Sequence, residues 1–306
     1  VLNIETRLLN AEFNRLDESQ RWKIEPGRKY YVIRNGSIIA FIIGKEKHLT
    51  DGFRMIGTHT DSPSLQIKPR LRKGTEPYLL LGVEKYGGPI LHTWFDRNLS
   101  LAGRVSIRIP GGGFKNITVD FKRPIVFIPS LAIHLNRKIN EGLEINVQDD
   151  LSPVISQSFA ESPSQLNSLL LGCIKNNVPN GTTVDDILGF DLFCYDIGKC
   201  CYNGVNKEFI SAPRLDNLLS CFAGLEAIAD TSSKTNSMLI CTNHEEIGSQ
   251  TESGALGSFL SDILLRLYES NEDRIIGMRN SYLLSLDNAH ASHPNFKSKT
   301  DPDHIV

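Results

Sequence analysis

Met238-Leu239-Ile240-Cys241-Thr242-Asn243-His244-Glu245-Glu246-Ile247-Gly248 is an apolar run that stops abruptly in groups able to bind a metal or move a proton. Its first five residues fit a buried strand. Immediately upstream, Pro213 to Ala229 carries Leu215, Leu218, Leu219, Phe222, Leu225 and Ile228 at i, i+3/i+4 spacing, which predicts a long helix. Downstream, a predicted helix from Leu256 to Tyr268 precedes a predicted strand, Tyr282 to Leu286, that runs into Asp287-Asn288-Ala289-His290. Far earlier in the chain a short strand, Arg54-Met55-Ile56, leads into Gly57-Thr58-His59-Thr60-Asp61-Ser62. Strands alternating with helices predict an α/β domain on a mixed sheet.

Around this frame, apolar residues at roughly helical spacing from Leu8 to Leu16 predict a short amphipathic helix. Tyr30 to Arg34, the Asn35-Gly36 turn and Ile38 to Ile43 predict a β-hairpin, because Asn-Gly suits the positive φ angles of two-residue turns. From about Gln66 to Asn203 the texture changes. Short β-rich runs (Tyr78 to Val83, Val105 to Ile109, Asn116 to Phe121, Ile125 to Ile128) are punctuated by Gly, Pro and Asn. The expected organisation is an α/β domain carrying a β-rich insertion.

The bulk numbers exclude several function classes. The 306 residues carry a net charge of -2, and Lys and Arg are scattered, so nothing points to nucleic acid or an anionic membrane. No apolar run approaches the roughly 20 residues that span a bilayer, and Val1 to Arg7 has no signal-peptide pattern. The six cysteines match no zinc-knuckle spacing, which makes a reducing, cytoplasmic setting the expectation. The chain starts at Val1 and stops at Val306 just beyond a motif-rich stretch, so a partial chain is expected.

Three polar clusters sit where an apolar strand runs out: His59 and Asp61, then Glu245 and Glu246, then Asp287 and His290. Sites in open α/β sheets assemble at the carboxyl ends of strands. Asp216 enters near a helix start marked by Pro213. Singly, each has an ordinary reading: a satisfied histidine, a solvated Glu-Glu pair, a carboxylate complementing a helix dipole, a turn aspartate. Together they are the ligand types of a hydrolytic zinc or manganese site. A two-metal site also needs a bridging carboxylate and a base for the water, which adjacent glutamates suit. A strand-like period of 2 puts His59 and Asp61 on one side, where Asp61 can orient the His59 ring.

The chain resembles the aspartyl aminopeptidase and vacuolar aminopeptidase I family. The resemblance rests on Ile56-Gly57-Thr58-His59-Thr60-Asp61-Ser62-Pro63, Thr93-Trp94-Phe95-Asp96-Arg97 with Leu101-Ala102-Gly103-Arg104, and Leu131-Ala132-Ile133-His134-Leu135. It continues through Ala212-Pro213-Arg214-Leu215-Asp216-Asn217, His244-Glu245-Glu246-Ile247-Gly248-Ser249 and Asp287-Asn288-Ala289-His290-Ala291-Ser292-His293-Pro294-Asn295, in family order.

That similarity implies a metallopeptidase catalytic domain over residues 1-66 and 206-306, and an inserted β-rich dimerisation domain over 67-205. It implies two zinc ions, with manganese or cobalt as substitutes, and a peptide substrate cut after its N-terminal residue, with an Asp/Glu preference inherited from the family name alone. His59 would ligate one metal with Asp287, Asp216 would bridge both, and Glu246 would bind the second. Glu245 would be the general base, Asp61 would orient His59, and His290 would face the substrate one helical turn past Asp287. His134 would reach a partner subunit's site in a dimer-based homo-oligomer, as in the family's twelve-subunit shells.

One departure is visible: the family's final histidine ligand to the second metal lies beyond the end of this chain, and His304 is not in the matching motif. Of the other groups, His92 and His244 are expected to be scaffold, Trp94 and Phe95 interface or core, and Asp96-Arg97 an ion pair. The rivals to an aminopeptidase are a related two-metal amidohydrolase or carboxypeptidase, and a metal-free assembly protein on the same scaffold.

Overall fold

The computed structural model describes residues 1–73, 77–157, 164–232 and 234–303. The chain divides into two compact units, one formed by Val1–Ser62 with Arg214–Val306 and the other by Pro63–Pro213.

In the first unit α1 (Leu2–Asn10) is followed by β1 (Asn14–Arg15), β2 (Lys29–Arg34), β3 (Ser37–Ile42) and β4 (Arg54–His59). The chain returns to this unit as α2 (Leu215–Asp230), β5 (Ser237–Thr242), α3 (Phe259–Leu267), α4 (Asn271–Arg279) and β6 (Tyr282–Ser285). The six strands form one mixed sheet in the order β1-β2-β3-β5-β4-β6. β2 and β3 are the Asn-Gly hairpin, with Asn35 at a φ of 53°. β5 runs antiparallel to β3 but parallel to β4, and β6 is parallel to β4.

Helices cover both faces of this sheet, which is why β3 and β5 are apolar throughout rather than alternating. The period of two sorts their side chains. Met238 and Ile240 pack with Val32, Ile39 and Phe41 against Phe259, Ile263 and Leu267 of α3. Leu239 and Cys241 pack with Tyr31, Ile38 and Ile42 against Leu8 of α1 and Cys221, Leu225 and Ile228 of α2. α2 approaches the sheet closely at Gly224, where an added Cβ would lie 2.7 Å from Leu239 Cδ1 and 3.2 Å from Ile56 Cγ2. The parallel strands therefore finish side by side: Thr242 is the register partner of His59, and the Leu286 amide donates to Gly57 O just past β6.

The second unit is built on an antiparallel sheet in the order Phe114–Asp120, Leu99–Arg108, Ile187–Asp196, Ser64–Lys73, Tyr78–Tyr86 and Val154–Gln157. Leu166, Leu170 and Ile174 of the helix Ser164–Ile174 join its core. A two-stranded ribbon, Cys201–Asn203 with Phe209–Ser211, follows.

Several sequence expectations shift. The N-terminal helix ends at Asn10, before the predicted range does; Glu12 turns the chain at a φ of 64°, and Phe13, on irregular backbone, joins the core that Leu8 enters from the helix. Burial of both had imitated a helical period. Ile125 to Ile128 is no strand, although Val126 and Phe127 form isolated bridges. α4 was not anticipated, because its mixed polar sequence shows no clear apolar face. Asp96 and Arg97 do not pair with each other: Asp96 accepts the Ser130 amide at 2.9 Å, and Arg97 pairs with Asp196. Trp94 and Phe95 are partly buried against the core of the second unit.

Candidate metal centre

β4 delivers His59 to the carboxyl edge of the sheet as a buried side chain, only 5% exposed. Its Nδ1 faces the Asp61 carbonyl at 3.1 Å and the Asp61 carboxylate at 3.4 Å. Those acceptors favour a ring proton on Nδ1 and turn Nε2 outward. Nε2 stands 3.3 Å from Asp216 Oδ1, 3.4 Å from Asp287 Oδ1 and 3.9 Å from Glu245 Oε2.

Asp61 is nearly as buried as His59, its side chain being 6% exposed. Its two carboxylate oxygens accept the backbone amides of Glu245 at 3.1 Å and of Glu246 at 3.2 Å. These amides open a single 3₁₀ turn, Glu245–Ile247, whose free N–H groups favour an anion. Left-handed residues bracket that turn, His244 at a φ of 67° and Gly248 at 94°. The His244 ring is engaged with Thr251 Oγ1 at 2.7 Å, a scaffold role.

Asp216 departs from the helical conformation expected of it. Asp216 and Asn217 have non-helical backbone angles within the range of α2, and the peptide bond between them is cis. The Asp216 carbonyl accepts Ser62 Oγ at 2.8 Å, and the Asn288 amide donates to Asp287 Oδ1 at 2.8 Å.

The charge density of this cluster is recorded in its protonation. Burial works against an imidazolium at His59, but the hydrogen bond and charge of Asp61, with Asp287 and Glu245, outweigh it and raise the ring to about 9. Burial, then the neighbouring carboxylates led by Glu245, push Glu246 up to about 7 despite His59. Burial and the Asp287 charge likewise raise Asp216. Carboxylates packed this closely need a cation, and a proton or a metal serves.

The donors fit zinc. Two ligands about 2.0–2.2 Å from a tetrahedral zinc lie about 3.4 Å apart, and His59 Nε2 has that spacing to both Asp216 and Asp287. His59, Asp216 and Glu246 each offer an atom within 4.8 Å of the other two. Five of the named candidates, with Asp61, thus converge. His290 does not join them: it is exposed, on irregular backbone rather than one helical turn past Asp287. His134 belongs to the second unit and is exposed in a turn closed by the Leu135 amide on Ala132 O. His304 lies outside the described residues. The amide contacts of Asp61, and the side chains of Asn217 and Asn288, carried no signal in the sequence that would separate them from ordinary turn residues.

Among the described residues no helix is long and apolar enough to cross a membrane. Comparison with known proteins places the chain. It is 45% identical over 295 residues to a probable M18 family aminopeptidase 2 of Pseudomonas syringae, covering 96% of this chain and 68% of that one. With the Pseudomonas aeruginosa counterpart it shares 44% identity over 299 residues, 97% of this chain and 69% of the other. A cryo-EM structure of the Ape4 and Nbr1 complex superposes with a TM-score of 0.91 at 38% identity, over 98% of this chain and 62% of that one. The S. cerevisiae mApe1 dodecamer superposes with a TM-score of 0.81 at 28% identity, over 100% and 71%. The chain thus spans about two thirds of the length of these relatives. The model of the Aminopeptidase I zinc metalloprotease (M18) family matches residues 1–306, and the chain belongs to that family.

Proposed function

We propose that this chain contributes the metal centre of a zinc-dependent aminopeptidase that releases the N-terminal residue of peptides. The observation that carries the proposal is the tetrahedral donor spacing at His59 Nε2, with Asp216 and Asp287. In this reading His59 and Asp287 would hold one zinc, Asp216 would be shared between the two, and Glu246 would bind the second. Zinc held there would supply Lewis-acid polarisation of the scissile carbonyl and acidify the attacking water. Asp61 keeps the His59 ring in its binding tautomer and anchors the Glu245–Glu246 turn through two amides. Glu245 Oε2 takes the proton of the water and returns it to the leaving amine nitrogen.

The finer assignments rest on the family resemblance: preference for N-terminal Asp or Glu, substrate contact by His290, and His134 of the inserted dimerisation domain serving a partner's site. A homo-oligomer is supported by the dodecamer that the S. cerevisiae relative forms. A cytoplasmic location accords with six free cysteines. Metal analysis of the full-length protein, with turnover of Asp-, Glu- and Leu-anilides before and after chelation, tests the whole. Bound zinc and chelator-sensitive release of the anilide are expected; a metal-free protein without turnover would overturn the reading.

A further inference from the structure

Asp216 and Asp287 arrive at the site from elements that regular secondary structure does not tie together. β6 stops at Ser285, so Asp287 projects beyond the ladder, while Asp216 and Asn217 precede the helical part of α2. Each aspartate is followed by an asparagine, and each asparagine reaches across. Asn217 Nδ2 donates to Leu286 O at 2.9 Å, the carbonyl just before Asp287. Asn288 Nδ2 donates to Leu215 O, the carbonyl just before Asp216.

We propose that Asn217 and Asn288 form a reciprocal amide clamp that sets the spacing of the Asp216 and Asp287 carboxylates, as a pair of positioning residues for zinc. The proposal rests on the metal-site reading above. Three features favour a clamp over incidental contact. The bonds are mutual, so the two aspartates cannot separate or slide without breaking both. Ser220 Oγ donates to Asn288 Oδ1 at 3.1 Å, which fixes the orientation of that amide and aims its Nδ2 at Leu215 O. Asn217 is fully buried, and its Oδ1 has no hydrogen-bond partner among the described residues. A buried amide with an unpaired oxygen is a cost to the fold, and the bond its side chain does make is the one to Leu286 O.

Partners behind metal ligands typically change affinity or activity 10–100-fold when removed. The test uses full-length protein stripped of metal, titrated with zinc against a competing chelator, and separately loaded with cobalt(II) for its d–d absorption. N288A and N217A should bind zinc 10–100-fold more weakly and alter the cobalt spectrum, with the metal-free unfolding midpoint of N288A retained. N217A/N288A should cost little more than either single change, because one clamp is broken once. S220A, which only frees the Asn288 amide to turn, should show a smaller loss in the same direction, and with N288A it carries the test should N217A fail to fold. Wild-type zinc affinity and cobalt spectrum in N288A and S220A would overturn the clamp while leaving the metal site standing. Failure of the wild-type protein to bind zinc would sink the metal-site reading, and the clamp with it.

Discussion

The Asp61 carboxylate accepts the Glu246 backbone amide at 3.2 Å, while the same side chain faces His59 Nδ1. One buried group thus couples two proposed ligands, one at the end of β4 and the other in the turn that follows β5. D61A removes the carboxylate beside the ring, leaving only the backbone carbonyl at Nδ1, and takes away the acceptor of two turn amides. Zinc affinity should fall 10–100-fold, with D61N intermediate because it keeps one oxygen. Competition titration checks this, and an unchanged affinity in D61A would remove Asp61 from the site.

Glu245 is the assigned base. E245Q keeps its size and removes its basicity, so zinc should stay bound while kcat for anilide hydrolysis drops by about 10²–10⁴. Turnover at the wild-type rate by fully zinc-loaded E245Q would assign the base elsewhere.

Protonation gives a signed dependence on pH. Glu246 is raised from 4.5 to about 7 and His59 from 6.5 to about 9. Both groups hold protons more tightly folded than unfolded. Their contributions to stability are therefore complete below the unfolded values, and fade as pH rises through about 7 for Glu246 and about 9 for His59. In the proposed reading zinc would take the same positions and displace those protons. The rise in melting temperature on adding zinc to chelated protein should widen steadily between pH 5 and 9. A constant increment across that window would exclude proton-linked binding at these two residues.

α2 can lie close to the sheet only because position 224 lacks a side chain. G224A puts a methyl against Ile56 and Leu239, at 3.2 and 2.7 Å from their nearest atoms. Overpacking of this kind costs about 1–3 kcal/mol. Urea unfolding should register that loss, and zinc affinity should weaken with it, since α2 carries Asp216. Stability equal to wild type would mean that the helix has room to withdraw.

Much of the frame was legible because burial leaves a period. β5, the Asn-Gly hairpin and α2 announce themselves in runs of Leu, Ile and Val. The site was legible as groups placed where those runs end. Geometry set by tertiary partners was not. Asp216 reads as a first-turn residue, yet its backbone is non-helical, and its place depends on Ser62 and Asn288, far away in sequence. Asp96 and Arg97 read as a pair but find Ser130 and Asp196 instead. Adjacency in sequence says nothing about which partner the fold will bring.

The insertion between β4 and α2 has a kinetic consequence. The chain leaves the first unit at Ser62 and returns to it only after Pro213, so the proposed zinc ligands His59 and Asp216 close a long loop, and β4 pairs with strands made much later. Such parallel, non-local pairing is slow to form. The second unit shortens the search by folding on itself: Ser64 Oγ bonds Cys194 O at 2.8 Å, joining its first strand to the last strand of its sheet. Once that contact exists, the effective loop contracts several-fold, which lowers the closure entropy by roughly 1.5 kcal/mol. The insertion then acts as an internal template, and the proposed zinc ligands, divided by it in the chain, meet last.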